Sequence, residues 1–506
     1  MNESVGHFAR IAVEEFLRAP ILGPLLFVIS VFVAGCNSVY LRPDPELAPP
    51  AAVDRVWIPP LPVSTGGEAS VNIQQLEGSE DHPALQPAGR AFDLPALIDL
   101  ALQTNPQTRR TWYAAQAANA QLGQAEAINY PAIAVDADGG YFKLPLQFPG
   151  QTLVIRNEAF LPQIKVSYDL LDFGRTRAAE RGAREQLIAA NFTFDRAIQD
   201  VVFNIEKAYY VLSAANASVS AAVSNLELAR TSLDAVLERH HVGLATQPQI
   251  SLAKQVEAQA VYDLENAKSM VHDAQSSLFD VIGIAPNAPI TVQSIAGQKV
   301  PANLGGDVET MIAESIKKRP DIAAQIAAVR AGDAAIAGAE AEYYPEVGIS
   351  GNYGQIIWSY TVNGGNTQNL NQPFYGALLT LKWNLFTGFD RYYSVGKATA
   401  ERNAARAELK SLELDATATV WRSYYDFLSA KKKYQASQAL LHASQDAYDS
   451  NLESHRQGLA TITDLIGAER DLMAARYTLI QSQADFLIAS SALVHAVGAQ
   501  PAFKAP

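Results

Sequence analysis

The chain has 506 residues, 48% of them hydrophobic, and a formal net charge of −13 at pH 7. This acidic balance argues against nucleic acid as a partner, because phosphate binding needs a basic surface. The single cysteine, Cys36, excludes an intrachain disulfide and a thiolate metal cluster. No run of 18 or more apolar residues is present, so the sequence predicts no ordinary membrane-spanning helix.

Residues 1–35 have the organisation of a signal peptide. The mostly apolar run from Ile21 to Gly35 is too short to span a membrane but suits the hydrophobic region of a secretory leader. It ends in Val33-Ala34-Gly35-Cys36, which resembles the bacterial lipobox. That resemblance implies removal of the leader and a lipid on Cys36, as S-diacylglycerol and N-palmitoyl groups, and Asn37 favours sorting to the outer membrane. An uncleaved anchor or a buried free thiol is the alternative.

The segment 36–91 follows as a proline-rich stretch. Between Arg42 and about Gly89 it shows no repeat period of either 2 or 3.6 residues. Such a composition predicts an extended, lipidated N-terminal segment that lies on other structure.

The rest of the chain contains one unit twice. Tyr130-Pro131 recurs as Tyr344-Pro345 at an offset of 214, and Tyr209-Tyr210 recurs as Tyr424-Tyr425 at an offset of 215. One offset held within one residue over half the chain indicates duplication of a complete multi-element unit. The predicted domains are a first repeat at 92–290, a linker at 291–305, a second repeat at 306–498 and a short tail at 499–506.

Each repeat is predicted to open with helices and to continue with a β-hairpin. In the first copy the helices cover 92–105 and 106–129, and alternation of polar and apolar residues follows in Gln163–Leu170. The second copy alternates in the same way over Leu379–Leu385. Hairpins are therefore expected at about 132–173 and 346–387, each strand with one wet face and one apolar face.

Long helices come next in both repeats. Thr176–His241 contains no proline and could form a rod of about 100 Å, and Arg391–Gln457 is equivalent. A return helix follows each rod, giving helical hairpins at about 175–283 and 390–498. The first rod carries a heptad seam, formed by Phe194, Ile198, Val201, Ile205, Ala208 and Leu212.

Four amphipathic strands per chain are too few to close a membrane barrel, which needs about eight. Three copies would supply twelve strands, and their helices could close into a tube with the same symmetry. The fold class predicted is therefore mainly α with a β-barrel part: a trimeric twelve-stranded membrane barrel continued by an α-helical tube.

At this point the residues resemble the TolC-like outer-membrane efflux proteins, and more closely their lipid-anchored branch. The resemblance covers Phe92 to Pro501 and includes the Tyr-Pro strand entries, the strand exits Phe173-Gly174 and Thr387-Gly388, and the Gly-Leu-Ala-Thr turns. It implies a homotrimer, anchored in outer-membrane lipid, whose twelve-stranded outer-membrane barrel with four strands per chain is continued by a periplasmic α-helical tunnel. The implied partners are a periplasmic adaptor protein and an inner-membrane pump of RND, MFS or ABC type.

The resemblance also assigns functional residues. Asp464 falls where the family places an aspartate that narrows the periplasmic entrance, whereas Gly467 and Gln249 replace further aspartates. The alternative for Asp464 is a solvated residue in the first turn of a helix. The turns between the long helices match the family's adaptor-contact tip, formed by Val242, Gly243, Leu244, Gln457, Gly458 and Leu459. The alternative for these turns is a helix connection with no partner.

No pattern typical of an enzyme or of a resident cofactor is present. There is no glycine-rich phosphate loop and no helical HExxH motif. His240, His241 and His455 lie at the predicted turns, where exposed polar residues are commoner than metal ligands.

The predicted function is export of drugs or other toxic small molecules through an outer-membrane channel. The alternatives are a type I protein secretion channel and a periplasmic coiled-coil scaffold lipoprotein.

Overall fold

The computed structural model describes residues 48–50, 52–57, 91–286, 291–292 and 307–499. Cys36, the predicted signal peptide and most of the proline-rich segment lie outside the described residues. The chain divides into two compact units. A β unit contains residues 117–187 and 327–406, and a helical unit contains residues 49–116, 188–326 and 407–499.

The elements follow one another in the same order in both repeats. In the first repeat they are β1 Ala91–Phe92, α1 Leu94–Thr104, α2 Pro106–Ala127, β2 Ala132–Phe148, β3 Gln151–Leu171, α3 Arg175–His241 and α4 Gln247–Ile282. In the second they are β4 Thr291–Val292, α5 Val308–Lys318, α6 Pro320–Ala341, β5 Glu346–Val362, β6 Gln368–Lys382, α7 Asp390–Arg456 and α8 Ile462–Val497.

Each repeat opens with two helices separated at an X-Pro bond. Asn105 and Arg319 both have extended backbone, with ψ of 125° and 122°, because a following proline disfavours the helical region. The return helix α4 ends against the first of these corners. A Cβ added at its terminal Gly283 would lie 3.1 Å from the Asn105 Cα and 2.9 Å from the Pro106 Cδ, so only glycine permits this approach.

The β unit contains one antiparallel sheet of order β2-β3-β5-β6. The predicted four amphipathic strands are therefore present, and β3 pairs with β5 so that the two repeats share one sheet. The alternation predicted over Leu379–Leu385 extends too far, since β6 ends at Lys382. Lys382 pairs with Glu346, the first residue of β5, so the residues after it have no partner strand. Gly388 and Phe389, with φ of 65° and 67°, then turn the chain before α7.

Two further strands correct the predicted start of the first repeat and the predicted linker. Ala91–Phe92 pairs in parallel with Thr291–Val292, so residue 92 is in a strand and the first helix starts at Leu94. Asp93 caps that helix by accepting a hydrogen bond from the Ala96 amide at 3.1 Å. A pair of two-residue strands has no periodicity that a sequence could reveal.

Paired long helices build the helical unit. Helices α3 and α7 are each 67 residues long, and the return helices α4 and α8 are each 36 residues long. All six residues of the predicted heptad seam on α3 are buried in one apolar cluster with residues of α1 and α4. The heptad pattern therefore marks the buried side of the rod.

The described part of the proline-rich segment lies against these helices. Trp57 is 5% exposed, packs edge-on against Phe192 with ring centroids 5.1 Å apart, and donates its amide to Asp195 Oδ1 at 2.8 Å. The Trp112 indole donates to the Pro50 carbonyl at 2.8 Å. Hydrogen bonds between individual groups of this segment and helix side chains take the place of the backbone hydrogen bonds of a strand or helix.

Helix α6 is the one described helix that is long and apolar enough to cross a membrane by composition. Within the β unit, however, its charged residues pair with neighbouring helices: Asp333 Oδ1 accepts from Arg402 of α7 at 3.1 Å, and Arg330 lies 4.0 Å from Glu185 of α3. These ion pairs indicate packing against protein.

Candidate functional site

The turns between the long helices have the same backbone in both repeats. After α3, the Leu244 amide donates to the Arg239 carbonyl at 2.7 Å and the Gly243 amide to the His240 carbonyl at 2.9 Å. After α7, Leu459 and Gly458 make the corresponding bonds at 2.8 and 3.1 Å. This is the Schellman helix end, in which the residue after the helix adopts the left-handed conformation.

Gly243 and Gly458 hold that left-handed position, with φ of 78° and 76°. No atom lies within 4 Å of a Cβ added at either glycine, so the requirement for glycine comes from the backbone alone. The two turns thereby present Leu244, which is 69% exposed, and Leu459, which is 80% exposed. Val242 is also exposed, and the tip predicted from the sequence offers apolar side chains to solvent.

Two of the three histidines at the tip, His240 and His455, form hydrogen bonds within the turns. His240 Nδ1 donates to the Ala245 carbonyl at 2.7 Å, and His455 Nδ1 donates to the Ala460 carbonyl at 3.0 Å. Nε2 of His455 accepts from the Arg239 guanidinium at 2.7 Å. Both repeats thus close their turn with the same imidazole contact. Among the described residues, no group of three or more His, Cys, Asp or Glu side chains is arranged to hold a metal.

Asp464 lies in the first turn of α8, where it forms a capping box with Thr461. Its Oδ2 accepts from the Thr461 amide at 3.0 Å and from the Thr461 hydroxyl at 2.6 Å, and its amide donates to Thr461 Oγ1 at 3.2 Å. The Thr461 hydroxyl and amide together lower the pKa of Asp464 below its ordinary value. The carboxylate therefore stays ionised at neutral pH while remaining exposed.

The first repeat uses the equivalent position in the same way. Gln249 Oε1 accepts from the Thr246 amide at 2.7 Å. The capping hydrogen bond is therefore present in both repeats, but the first repeat has a neutral amide where the second has the Asp464 carboxylate. Gly467, one turn beyond Asp464, is exposed, and no atom lies within 4 Å of an added Cβ. The lining of a constriction by Asp464 remains a prediction, because the capping role explains its position equally well.

In the half of the sheet next to the helices, the register separates the side chains by polarity. Directly paired residues share a face, and Val135, Ile164 and Tyr353 lie side by side across three strands. The apolar face defined by this register carries Ile133, Val135, Ile164, Val166, Ile349, Tyr353, Tyr375, Leu379 and Leu381. The polar face carries Asp136, Gln163, Lys165, Ser167, Ser350, Asn352, Thr380 and Lys382, with Leu378 opposite Ser350 as an apolar exception.

Exposed aromatic side chains gather at one end of this sheet, where strands meet helices. We call this group the aromatic junction; it contains Tyr130, Phe173, Tyr343, Tyr344, Trp383, Phe386, Phe389, Tyr392 and Tyr393. Phe173 stacks on Tyr344 with centroids 5.4 Å apart, and the Trp383 indole donates to the Tyr343 carbonyl at 3.1 Å. Amphipathic rings in such a band are typical of the boundary between lipid and water.

Three comparisons with known proteins agree with this geometry. The family model described as "Outer membrane efflux protein" matches residues 97–284 and 311–499. The chain belongs to the outer membrane efflux protein family. The two matched segments coincide with the two repeats, and membership places the chain in the outer membrane as a channel of an efflux system.

Individual relatives span most of the chain. Protein CyaE of Bordetella pertussis is 28% identical over 82% of this chain and 86% of its own length. The antibiotic efflux pump outer membrane protein ArpC of Pseudomonas putida is 24% identical over 94% of both chains. The Campylobacter jejuni CmeC outer membrane channel has the same fold, with a TM-score of 0.68 at 17% identity over 86% of this chain and 94% of that one.

Two groups of residues escaped sequence reasoning. The aromatic junction is spread over four separate segments, although its Tyr-Pro and Phe-Gly members mark strand ends and could have indicated it. Buried polar residues on α3 and α8, described below, fall at heptad positions that a pattern of apolar residues alone does not show.

Proposed function

We propose that three copies of this chain close a twelve-stranded barrel in the outer membrane and form the exit channel of a tripartite efflux system. The observation that carries this proposal is the four-stranded sheet with its two faces. Strands β2 and β6 each pair on one side only within the described structure. Open edges facing lipid would leave backbone groups unsatisfied, and pairing β2 of one copy with β6 of the next satisfies them.

The side chains support a barrel orientation. The apolar face suits lipid, and the polar face, with the Lys165–Asp136 ion pair at 2.7 Å, suits a water-filled lumen. The strands have 15 to 21 residues, more than the roughly 9–11 that a tilted strand needs to cross a bilayer. The aromatic junction fits the periplasmic boundary of the membrane, below which the helices would continue as a tunnel.

Cross-linking between neighbouring edges tests the trimer. In a Cys36→Ser chain exported by a cleavable signal, Ala134→Cys on β2 and Thr380→Cys on β6 supply one thiol per edge, and a bifunctional maleimide joins neighbours in the membrane. A ladder of linked chains that ends at three is expected. A ladder that ends at two, or that continues beyond three, contradicts the proposal. Each single variant is the control, since one thiol per chain cannot propagate a ladder.

The cargo we propose is drugs or other toxic small molecules, moved by passive conduction and powered elsewhere. ArpC is named as part of an antibiotic efflux pump, which supports this class of substrate. The energy would come from an inner-membrane pump of RND, MFS or ABC type, joined through a periplasmic adaptor. Loss of drug resistance on deletion of the gene, with resistance restored by the intact chain, tests the proposal; unchanged susceptibility to every drug class would argue for a different cargo.

The tip turns are the proposed contact with the adaptor. Support comes from the exposed Leu244 and Leu459, which two rigid Schellman ends hold in equivalent positions. An adaptor hairpin with a complementary apolar groove would bury them. Ionised Asp464, close to this tip in sequence, would form a ring of three carboxylates in a trimer and favour cations at the entrance.

Lipid on Cys36 is a further part of the proposal, resting on the sequence Val33-Ala34-Gly35-Cys36. Incorporation of a palmitate analogue should disappear in Cys36→Ser, while that variant still conducts because the barrel supplies the main anchorage. Labelling that persists in the variant would contradict acylation at this residue.

A further inference from the structure

Several polar contacts join the hairpin of the first repeat to that of the second, and three of them follow one another along the helices toward the tip. Asn225 of α3 accepts from the Arg476 guanidinium of α8 at 2.9 Å, and Ser232 of α3 donates to Glu469 Oε2 of α8 at 2.6 Å. Nearest the tip, Arg239 of α3 donates to His455, the penultimate residue of α7, at 2.7 Å. We call these three contacts the polar seam.

The seam follows the heptad repeat. Residues 225, 232 and 239 advance by seven along α3, and residues 476 and 469 run back by seven along α8, as antiparallel partners must. Apolar residues of α3 and α8 surround it, among them Leu226, Leu233, Ile462 and Ile466. A polar side chain at a buried seam position fixes register at a cost in stability, so the contact between the hairpins is specific and weaker than an apolar one.

Glu469 is the least satisfied member of the seam. Its side chain is 0% exposed, and no described group hydrogen-bonds to its Oε1. Burial raises the pKa of Glu469 above its ordinary value of 4.5, and the hydrogen bond from Ser232 opposes this only in part. An ionised carboxylate in this position would lack the compensation that a buried charge requires.

The surroundings provide little charge compensation. Tyr448 of α7 lies near Glu469, and burial together with the Glu469 charge raises the pKa of its hydroxyl. Arg476 lies two turns away on α8 and is hydrogen-bonded to Asn225. From α4, Ile250, Ala253, Val256 and Ala260 are buried in the same apolar cluster, and the charge of Glu257 is paired with Arg230 of α3 at 3.4 Å. The equivalent of Glu469 in the first repeat is the exposed Lys254, so this buried acid is specific to the second repeat.

We propose that the Ser232–Glu469 contact of the polar seam is a protonation-sensitive latch between the two helical hairpins, closed while Glu469 carries its proton and released when that carboxyl ionises. The latch rests on the proposed channel function, because separation of the hairpins near the tip would widen the periplasmic entrance. Since the closed latch holds the proton of Glu469 more tightly than the released one, the Ser232–Glu469 contact is at full strength below pH 4.5. It weakens as the pH rises from there through the raised pKa, by at most about tenfold per pH unit.

Glu469→Gln gives the decisive variant, because glutamine retains the acceptor for Ser232 and has the shape of the protonated acid. Its matched control is Asp471→Asn, which removes an exposed carboxylate two residues away on the same helix. His455→Gln separates the Arg239 contact, which needs an unprotonated Nε2, from the effect of Glu469. All four proteins are purified as the full chain.

Amide hydrogen exchange is the primary measurement, since it does not depend on conduction. Protection factors over residues 225–239 and 462–476, corrected for intrinsic exchange, should fall between pH 4.5 and 8.5 in the wild type, in Asp471→Asn and in His455→Gln. They should stay at the low-pH value in Glu469→Gln. A wild type without this fall, or a Glu469→Gln protein that retains it, overturns the latch.

Single-channel recording over the same pH range supplies the functional test. Open probability should rise with pH in the wild type and in Asp471→Asn and remain low in Glu469→Gln. Absence of conductance in every protein would contradict the channel function and leave the exchange result to decide on the latch. Conductance with equal pH dependence in the wild type and Glu469→Gln would contradict the latch alone.

Discussion

Replacing Gly458 by valine is expected to abolish drug resistance without dismantling the channel. Gly458 has φ of 76° at the Schellman end of α7, and its surroundings are open to an added Cβ. The cost is therefore backbone strain alone, about 1–3 kcal/mol for a β-branched residue held in a left-handed conformation. A free energy of that size changes the population of the correctly formed turn by about 5- to 150-fold.

The consequence should be local because the turn is exposed and far in sequence from the sheet. Leu459 is displaced when the turn opens, so the affinity for an adaptor should fall by up to the same factor. Trimer migration on electrophoresis and single-channel conductance should remain as in the wild type. Binding of purified adaptor and the minimum inhibitory concentrations of efflux substrates measure the loss.

Two variants separate strain from a general effect of substitution. Gly458→Asn should retain most of the resistance, since asparagine tolerates the left-handed region. Gly467→Ala changes an exposed glycine of α8 that has no such requirement and should leave resistance intact. Full resistance and unchanged adaptor affinity in Gly458→Val would refute the reasoning and make the turn a plain connector.

Further outcomes follow from charge and burial. Gly467→Asp should add a second ring of carboxylates and increase cation selectivity, whereas Asp464→Asn should reduce this selectivity. The measurement is the reversal potential at low salt, where screening is least. Unchanged selectivity in both variants would place these residues away from the permeation path. Burial raises the pKa of Asp195 to about 7 although the Trp57 amide opposes the shift, so stability should decline as the pH rises from about 4 to 7, by at most about 4 kcal/mol. Thermal denaturation should show this decline in the wild type and not in Asp195→Asn, and equal profiles would mean that Asp195 ionises normally.

Much of the fold could be predicted because its signals are local. Alternation in Gln163–Leu170 specified a two-faced strand, and the heptad residues of α3 are buried as their spacing required. The tip glycines were also visible from the sequence, since a left-handed helix end demands them at one position. These signals depend on periods of 2 and 3.5 residues and on single-residue backbone preferences.

Sequence patterns did not determine where the strands end or what single polar residues do. Trp383 continues the alternation of β6 but lies beyond its end, because Lys382 already pairs with Glu346, the first residue of β5, and no strand residue lies opposite Trp383. Asp464 fits a lining residue by resemblance and a capping residue by its contacts with Thr461. One sequence position satisfies both descriptions.

Only the tertiary structure decided which distant residues meet. Pairing of β3 with β5 joins the two repeats in one sheet, and β1 finds β4 about 200 residues away. The Ser232–Glu469 contact spans 237 residues and appears in the sequence only as two polar residues on separate helices. Local periodicity fixes which face of an element is buried, but it carries no information on the partner that covers this face, which packing of the whole chain selects.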